Sequence, residues 1–149
     1  MEGCLACDLA EGRVPLPGGR LGQTRHWIVE HTIGPLGVGT VIVKPKRHVL
    51  HVADLTVEEA RELGPLLQQT ASVVTTLAEP EQVYVDLWSH ADGVPGHIHW
   101  VVQPVSRATM QEFDDFGPSL QVKMFERNVP PAAEAVEAFA ERAGRLLPG

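Results

Sequence analysis

The chain has 149 residues, of which 44% are hydrophobic, and it carries a formal net charge of −7, which predicts one folded domain over residues 1–149. The acidic balance argues against general nucleic-acid binding, which needs a basic face, and no apolar run approaches the roughly 20 residues of a membrane helix. Because the first residues lack the pattern of a signal peptide and the only two cysteines lie three positions apart, we predict a cytoplasmic protein that binds neither nucleic acid nor membrane.

The first third of the chain predicts an irregular start followed by two strands. Residues 1–25 are rich in glycine and proline and predict an irregular lead-in. Alternation over 26–32 and a β-branched run at 40–45 predict strands, joined by a glycine-rich turn at 34–39.

A helix is predicted directly after these strands. Thr56 followed by Glu59 is a capping-box pattern, so the helix should begin there and continue to about Leu77. The pair Gly64-Pro65 should disturb its early turns.

The second half predicts a hairpin and then more helices. Runs at 83–89 and 97–103 predict two strands around a turn at 91–96. Helical patterns near 107–126 and 131–147 form a C-terminal helical extension over 107–149. The order of elements therefore predicts an α+β fold with a mostly antiparallel sheet.

One face of the last predicted strand carries both of its histidines. Side chains alternate across a strand, so one face holds Ile98, Trp100 and Val102 and should pack on the core. The other face holds His97, His99, Val101 and Gln103. We predict that this second face is the working face of the protein.

Three segments in the right order resemble the histidine-triad superfamily. GHIHWVVQP (96–104) is similar to its signature strand of alternating histidines, and GTVIVKPKRHV (39–49) is similar to its preceding strand. CLACDLAEGRVP (4–15) is similar to the Cys-x-x-Cys opening of many bacterial members. The resemblance implies a histidine-triad-like fold, with a helix after the second strand and further helices at the C-terminus.

The signature departs from the family pattern at its third histidine. Aligned on Pro104, His97 is the first histidine and His99 the second, and Val101 stands where the third belongs. Gln103 lies one step further along the same face. A shifted alignment that begins at Pro95 is the alternative.

The spacing of Cys4 and Cys7 is that of a metal knuckle. The resemblance implies that both cysteines, together with His48 and His97, bind a structural zinc ion. His51 is a nearby alternative to His48. The competing hypotheses for the cysteines are a redox pair and two unrelated thiols.

The resemblance implies that His99 is the nucleophile of a nucleotidyl hydrolase or transferase. It would attack the α-phosphate of a nucleotide conjugate, such as a dinucleoside polyphosphate or a nucleoside phosphoramidate, and form a nucleotidyl-histidine. Ser89, His90 and Gln103 are candidate donors to the substrate. Glu30 is a candidate acceptor from a ribose hydroxyl, with an exposed strand glutamate as the alternative.

Two rival hypotheses compete with the enzyme. One is a zinc-stabilised nucleotide-binding module without turnover. The other is a structural or interaction protein in which both histidines only hold metal. The resemblance also implies a homodimer with the 56–77 helix at the interface.

Overall fold

A five-stranded antiparallel sheet forms the centre of the protein. The computed structural model describes residues 1 and 3–149. The strands are β1 (Arg20–Gln23), β2 (Trp27–His31), β3 (Val41–Pro45), β4 (Gln82–Asp86), β5 (His90–Ala91), β6 (Val94–Pro95) and β7 (Trp100–Val105). The sheet has the order β1-β2-β3-β7-β4, and β5 pairs with β6 in a separate ribbon. All adjacent pairs are antiparallel, so the predicted α+β class is confirmed.

The helices precede, interrupt and follow the strands. They are α1 (Leu5–Ala10), α2 (Val57–Ala78), α3 (Arg107–Phe113), α4 (Gly117–Arg127) and α5 (Ala133–Gly144), with a short 3₁₀ turn at Val52–Asp54. Within the described residues, no helix is both long and apolar enough to cross a membrane.

Helix α2 begins where its capping box predicts. The Thr56 hydroxyl accepts from the Glu59 backbone N–H at 3.2 Å, and the Glu59 carboxylate accepts from the Thr56 N–H at 2.8 Å. Pro65 lies inside a helix that is continuous to Ala78. The predicted 107–126 helix is instead two helices, because Asp114 adopts a left-handed conformation (φ 49°) that ends α3.

The prediction of a wholly irregular lead-in is wrong. Residues 1–25 contain α1 and also β1, which pairs with β2. Leu21 of β1 is buried in the core. Gly22 permits the C-terminal segment to pass closely, because an added Cβ would lie 2.8 Å from the Pro148 carbonyl oxygen. Leu147 packs against the core at the same place.

The last strand begins later than predicted. Strand β7 runs from Trp100 to Val105, so His97 and His99 precede it. Their segment is still fixed in place, because the Ile98 N–H donates to the Val49 carbonyl at 2.8 Å. Strands β4 and β7 pair as predicted, but the β5–β6 ribbon occupies the connection between them.

Helices α2 and α5 cover one face of the sheet. Val43 and Val102 of the sheet pack there with Val74 of α2 and Phe139 of α5. Trp100 meets Trp27 edge to face, with the ring centroids 5.6 Å apart. Trp100 and Val102 of the predicted apolar face therefore pack on the main core, and Ile98 is buried outside that cluster.

Helix α4 covers part of the opposite face. Leu120 and Met124 pack on Val101 and Val105 of β7 in a second cluster. The rest of this face, beside α1, is open. The opposite face is therefore divided between a covered half and an open half.

Candidate metal centre and adjoining cleft

Two cysteines and two histidines from distant parts of the chain converge at the open half of the sheet. Cys4 is the N-cap of α1 and Cys7 lies in its first turn. His48 follows β3, and His97 precedes β7. The ligand atoms of all four lie within 4.8 Å of one another, so the group can hold a metal ion.

The separations within this cluster match a tetrahedral zinc site. Cys7 Sγ lies 3.4 Å from Nδ1 of His48 and 3.4 Å from Nδ1 of His97, and Cys4 Sγ lies 3.9 Å from Nδ1 of His97. Zinc bond lengths of about 2.3 Å to sulfur and about 2.0 Å to nitrogen give ~3.5 Å between ligands at a tetrahedral angle. The donors fit the ion with little rearrangement.

The second ring nitrogen of His97 orients the first toward the cluster. Nε2–H of His97 donates to the Pro45 carbonyl at 2.9 Å, which leaves the Nδ1 lone pair facing the cysteines. Burial lowers the pKa of His97 to about 4, so the ring is neutral, as a metal ligand must be. Burial raises the pKa of the Cys7 thiol.

His51, the alternative ligand, is exposed and lies outside the cluster, which contains His48.

A cleft of about 570 Å³ adjoins the cluster. Leu5 and Leu9 of α1 line it, together with Glu30 of β2 and Lys44 of β3. His99 lines the same cleft. Its volume is in the range of small-molecule sites.

The backbone holds His99 in a defined orientation. Nδ1–H of the ring donates to the His97 carbonyl at 3.1 Å, and the backbone N–H donates to the Ser89 hydroxyl at 3.1 Å. With Nδ1 engaged, the lone pair of Nε2 is available. The ring is half-buried.

The predicted substrate contacts separate into two groups. Ser89 and His90 line the cleft beside His99. Glu30 also lines it, but it is only 3% exposed and forms a buried ion pair with Lys44. The alternative of an exposed strand glutamate is therefore wrong.

The structure does not bring Gln103 to the cleft. Its side chain is fully buried, donates to the Leu36 carbonyl at 3.1 Å and accepts from Gln121 at 2.9 Å. Val101 is 6% exposed under α4. The prediction of one working face over all four residues is wrong for these two, because α4 covers them.

The sequence patterns did not predict two charged side chains of the sheet, Lys44 and Asp86. Lys44 is buried in a strand that otherwise reads as apolar. Asp86, opposite Val101 in the pairing of β4 with β7, accepts from Gln121 at 2.7 Å. Burial raises the pKa of Asp86, and its Oδ1 is buried without a hydrogen-bond partner in the described part of the chain. The sequence carries no signal for Asp86, because its place opposite Val101 depends on the register of β4 with β7.

Several solved structures share this fold. A Hit-like protein involved in cell-cycle regulation from Bartonella henselae is 17% identical, with TM-score 0.75 over 99% of this chain and 98% of its own. A hypothetical histidine triad nucleotide-binding protein from Sulfolobus tokodaii is 14% identical, with TM-score 0.71 over 95% and 90%. A Zn-bound histidine triad family protein from Mycobacterium smegmatis is 17% identical, with TM-score 0.62 over 94% of each chain.

No protein-family model and no curated protein matches the sequence. At these identities the likeness shows the fold. The chain has the α+β fold of the histidine-triad proteins, as the sequence motifs predict.

Proposed function

We propose that this protein is a nucleotidyl hydrolase or transferase of the histidine-triad kind, with His99 as its nucleophile. The observation that carries the proposal is the orientation of His99 in the cleft. Nδ1–H is held by the His97 carbonyl at 3.1 Å, so Nε2 is the nitrogen left to attack.

The reaction has two displacements at the α-phosphorus of a nucleotide conjugate. First, a bond forms between Nε2 of His99 and phosphorus while the bond from phosphorus to the leaving group breaks. The leaving group departs with the electron pair and takes up a proton from solvent. Then the oxygen of water, or of another acceptor, bonds to phosphorus and loses its proton to solvent, while the bond from phosphorus to Nε2 breaks and its electron pair returns to His99. One difficult displacement is thereby divided into two easier ones.

The groups around His99 suit this chemistry. Ser89, whose hydroxyl contacts the His99 backbone, and His90 line the same cleft as His99 and can donate to phosphoryl oxygens. Glu30, which lines the cleft, is the acceptor that we propose for a hydroxyl of the nucleoside. We leave Gln103 out of the substrate site because it is buried under α4.

We infer that Cys4, Cys7, His48 and His97 bind a structural zinc ion. Two thiolates and two imidazoles form a set that favours zinc. All four tetrahedral positions come from the protein, so the ion would link α1 to the sheet and leave no open position for substrate. Both cysteines are free of disulfides, which agrees with the reducing cytoplasm that we propose as its location.

The test uses adenosine 5′-phosphoramidate as the probe. We expect AMP release, and an adenylyl adduct on the peptide that contains His99 when the reaction is quenched and read by mass spectrometry. His99→Ala should abolish both and retain zinc, whereas His97→Ala should lose zinc. A wild-type protein without turnover, or a fully active His99→Ala variant, would overturn the proposal.

A binding module without turnover is the second candidate. The observation that favours it is the position of Val101. This residue stands in place of the third histidine, and α4 covers its side chain. AMP binding to a zinc-loaded protein that hydrolyses no phosphoramidate or dinucleoside polyphosphate would establish it.

A homodimer stays a prediction. The apolar stripe of α2, including Leu63, Leu66 and Val73, packs on the chain's own core, so that stripe does not argue for a partner. Light scattering of the purified protein would give the oligomeric state.

A further inference from the structure

Lys44 is a buried cation that the proposed reaction does not use. Its side chain is 1% exposed, in the middle of the sheet between β2 and β7. Nζ donates to the Ala6 carbonyl at 2.7 Å and also to the Glu30 carboxylate. The ammonium therefore joins β3, which carries Lys44, to the neighbouring strand β2 and to α1.

A buried ion pair of this kind is weak support for the stability of a sheet. Desolvation of the two charges offsets most of their attraction, and apolar replacements of similar size are often neutral. The second bond of the Lys44 ammonium, to the Ala6 carbonyl, shows what Lys44 holds in place.

That contact is at the metal centre. Ala6 lies between Cys4 and Cys7, and α1 has only six residues, too few to be stable alone. Cys4, its N-cap residue, makes no side-chain capping bond in the described structure. Among the described residues, a further side-chain tether to the α1 backbone is an exposed bond from Arg20 to the Ala10 carbonyl at 3.0 Å.

We propose that Lys44, held by Glu30, is a positioning residue for the metal centre. By fixing the Ala6 carbonyl against the sheet, it sets the place of both thiol groups relative to His48 and His97 before metal binds. The inference rests on the zinc site of the proposed function. Groups that orient metal ligands from outside typically contribute 10–100-fold to metal affinity.

The experiment compares zinc affinities of full-length variants. Lys44→Met alone would leave Glu30 as an unpaired buried charge, so the test variant is the double substitution Glu30→Leu with Lys44→Met. Zinc dissociation constants are measured by competition with a chromophoric chelator. We expect affinity to fall roughly 10–100-fold, and amide exchange of residues 5–10 to be faster in the zinc-loaded variant. The melting curve of the metal-free protein reports whether the variant folds.

A matched control is available on the far helices. Lys123 also donates to a backbone carbonyl, that of Phe113 at 3.1 Å, and pairs with Asp115 at 2.9 Å. Lys123→Met should leave zinc affinity unchanged. The proposal is overturned if the folded double variant binds zinc within twofold of wild type, or if Lys123→Met weakens zinc equally. A wild-type protein that binds no zinc would instead refute the proposed zinc site itself.

If the double variant does not fold, Lys44→Arg is the second test. Arginine keeps the charge beside Glu30 but its larger, planar head group cannot reproduce the same bond to Ala6. Weaker zinc binding in a stable Lys44→Arg protein supports the proposal, and unchanged zinc binding contradicts it.

Discussion

Restoring the third histidine should damage this protein and leave its turnover no faster. Val101 is 6% exposed and packs with Leu36, Leu120 and Met124. Val101→His would place an imidazole under α4, away from the cleft that holds His99.

The cost can be worked from the site. Loss of the buried valine methyl groups removes about 1.5 kcal/mol, and a larger ring in a packed cluster adds ~1–3 kcal/mol. Asp86, opposite Val101, has a buried Oδ1 without a partner among the described residues, and this oxygen can accept a hydrogen bond from the new ring. An unsatisfied ring nitrogen therefore contributes little to the cost. The total is about 3 kcal/mol, or a melting temperature lower by roughly 6–12 °C for a chain of this size.

Urea denaturation and phosphoramidate turnover would be measured on Val101→His and on Val101→Leu. Leucine matches the size of histidine without its polar atoms, and we expect it to cost about 1 kcal/mol. A Val101→His protein as stable as wild type, with turnover raised tenfold, would refute the claim that α4 closes this position.

Three further predictions concern single side chains. Hydrogen bonds from Arg47 lower the pKa of Glu59 to about 2. The ionised Glu59 therefore stabilises the folded protein fully above the unfolded pKa of about 4.5, and this stabilisation is lost as the pH falls toward 2. In urea, Glu59→Gln should therefore cost about 2 kcal/mol at pH 7 and little at pH 2; an equal loss at both would contradict this. Because burial raises the pKa of Asp86 above its unfolded value of 3.8, the stability of the protein falls as the pH rises from that value through the raised pKa, and Asp86→Asn should stabilise the protein at pH 8 but not at pH 3. His48→Ala should release zinc, measured by elemental analysis, whereas zinc loss from His51→Ala would show that the ligand is misassigned.

The fold was largely predictable because its signals are local. The capping box of Thr56 and Glu59 and the alternating strands act over a few residues. The hairpin of β4 and β7 is also short-range. Strand β1 could not be predicted, since it depends on pairing with β2 and on the chain's last residues packing over Gly22.

The candidate site was predictable only in part. Residues matched by motif, such as Cys4 and His97, do converge in space. The burial of Gln103 depends on where α4 packs, and the alternation of side chains within one strand cannot predict that packing. The ion pair of Glu30 with Lys44 likewise joins two strands, and the sequence of neither strand alone predicts that contact.

A crystal soaked with AMP, with anomalous scattering collected at the zinc edge, tests the account most directly. We predict one anomalous peak bonded to Sγ of Cys4 and Cys7 and to Nδ1 of His48 and His97, with the phosphate of AMP facing Nε2 of His99. A peak coordinated by His99, or a phosphate bound away from that ring, would contradict the account.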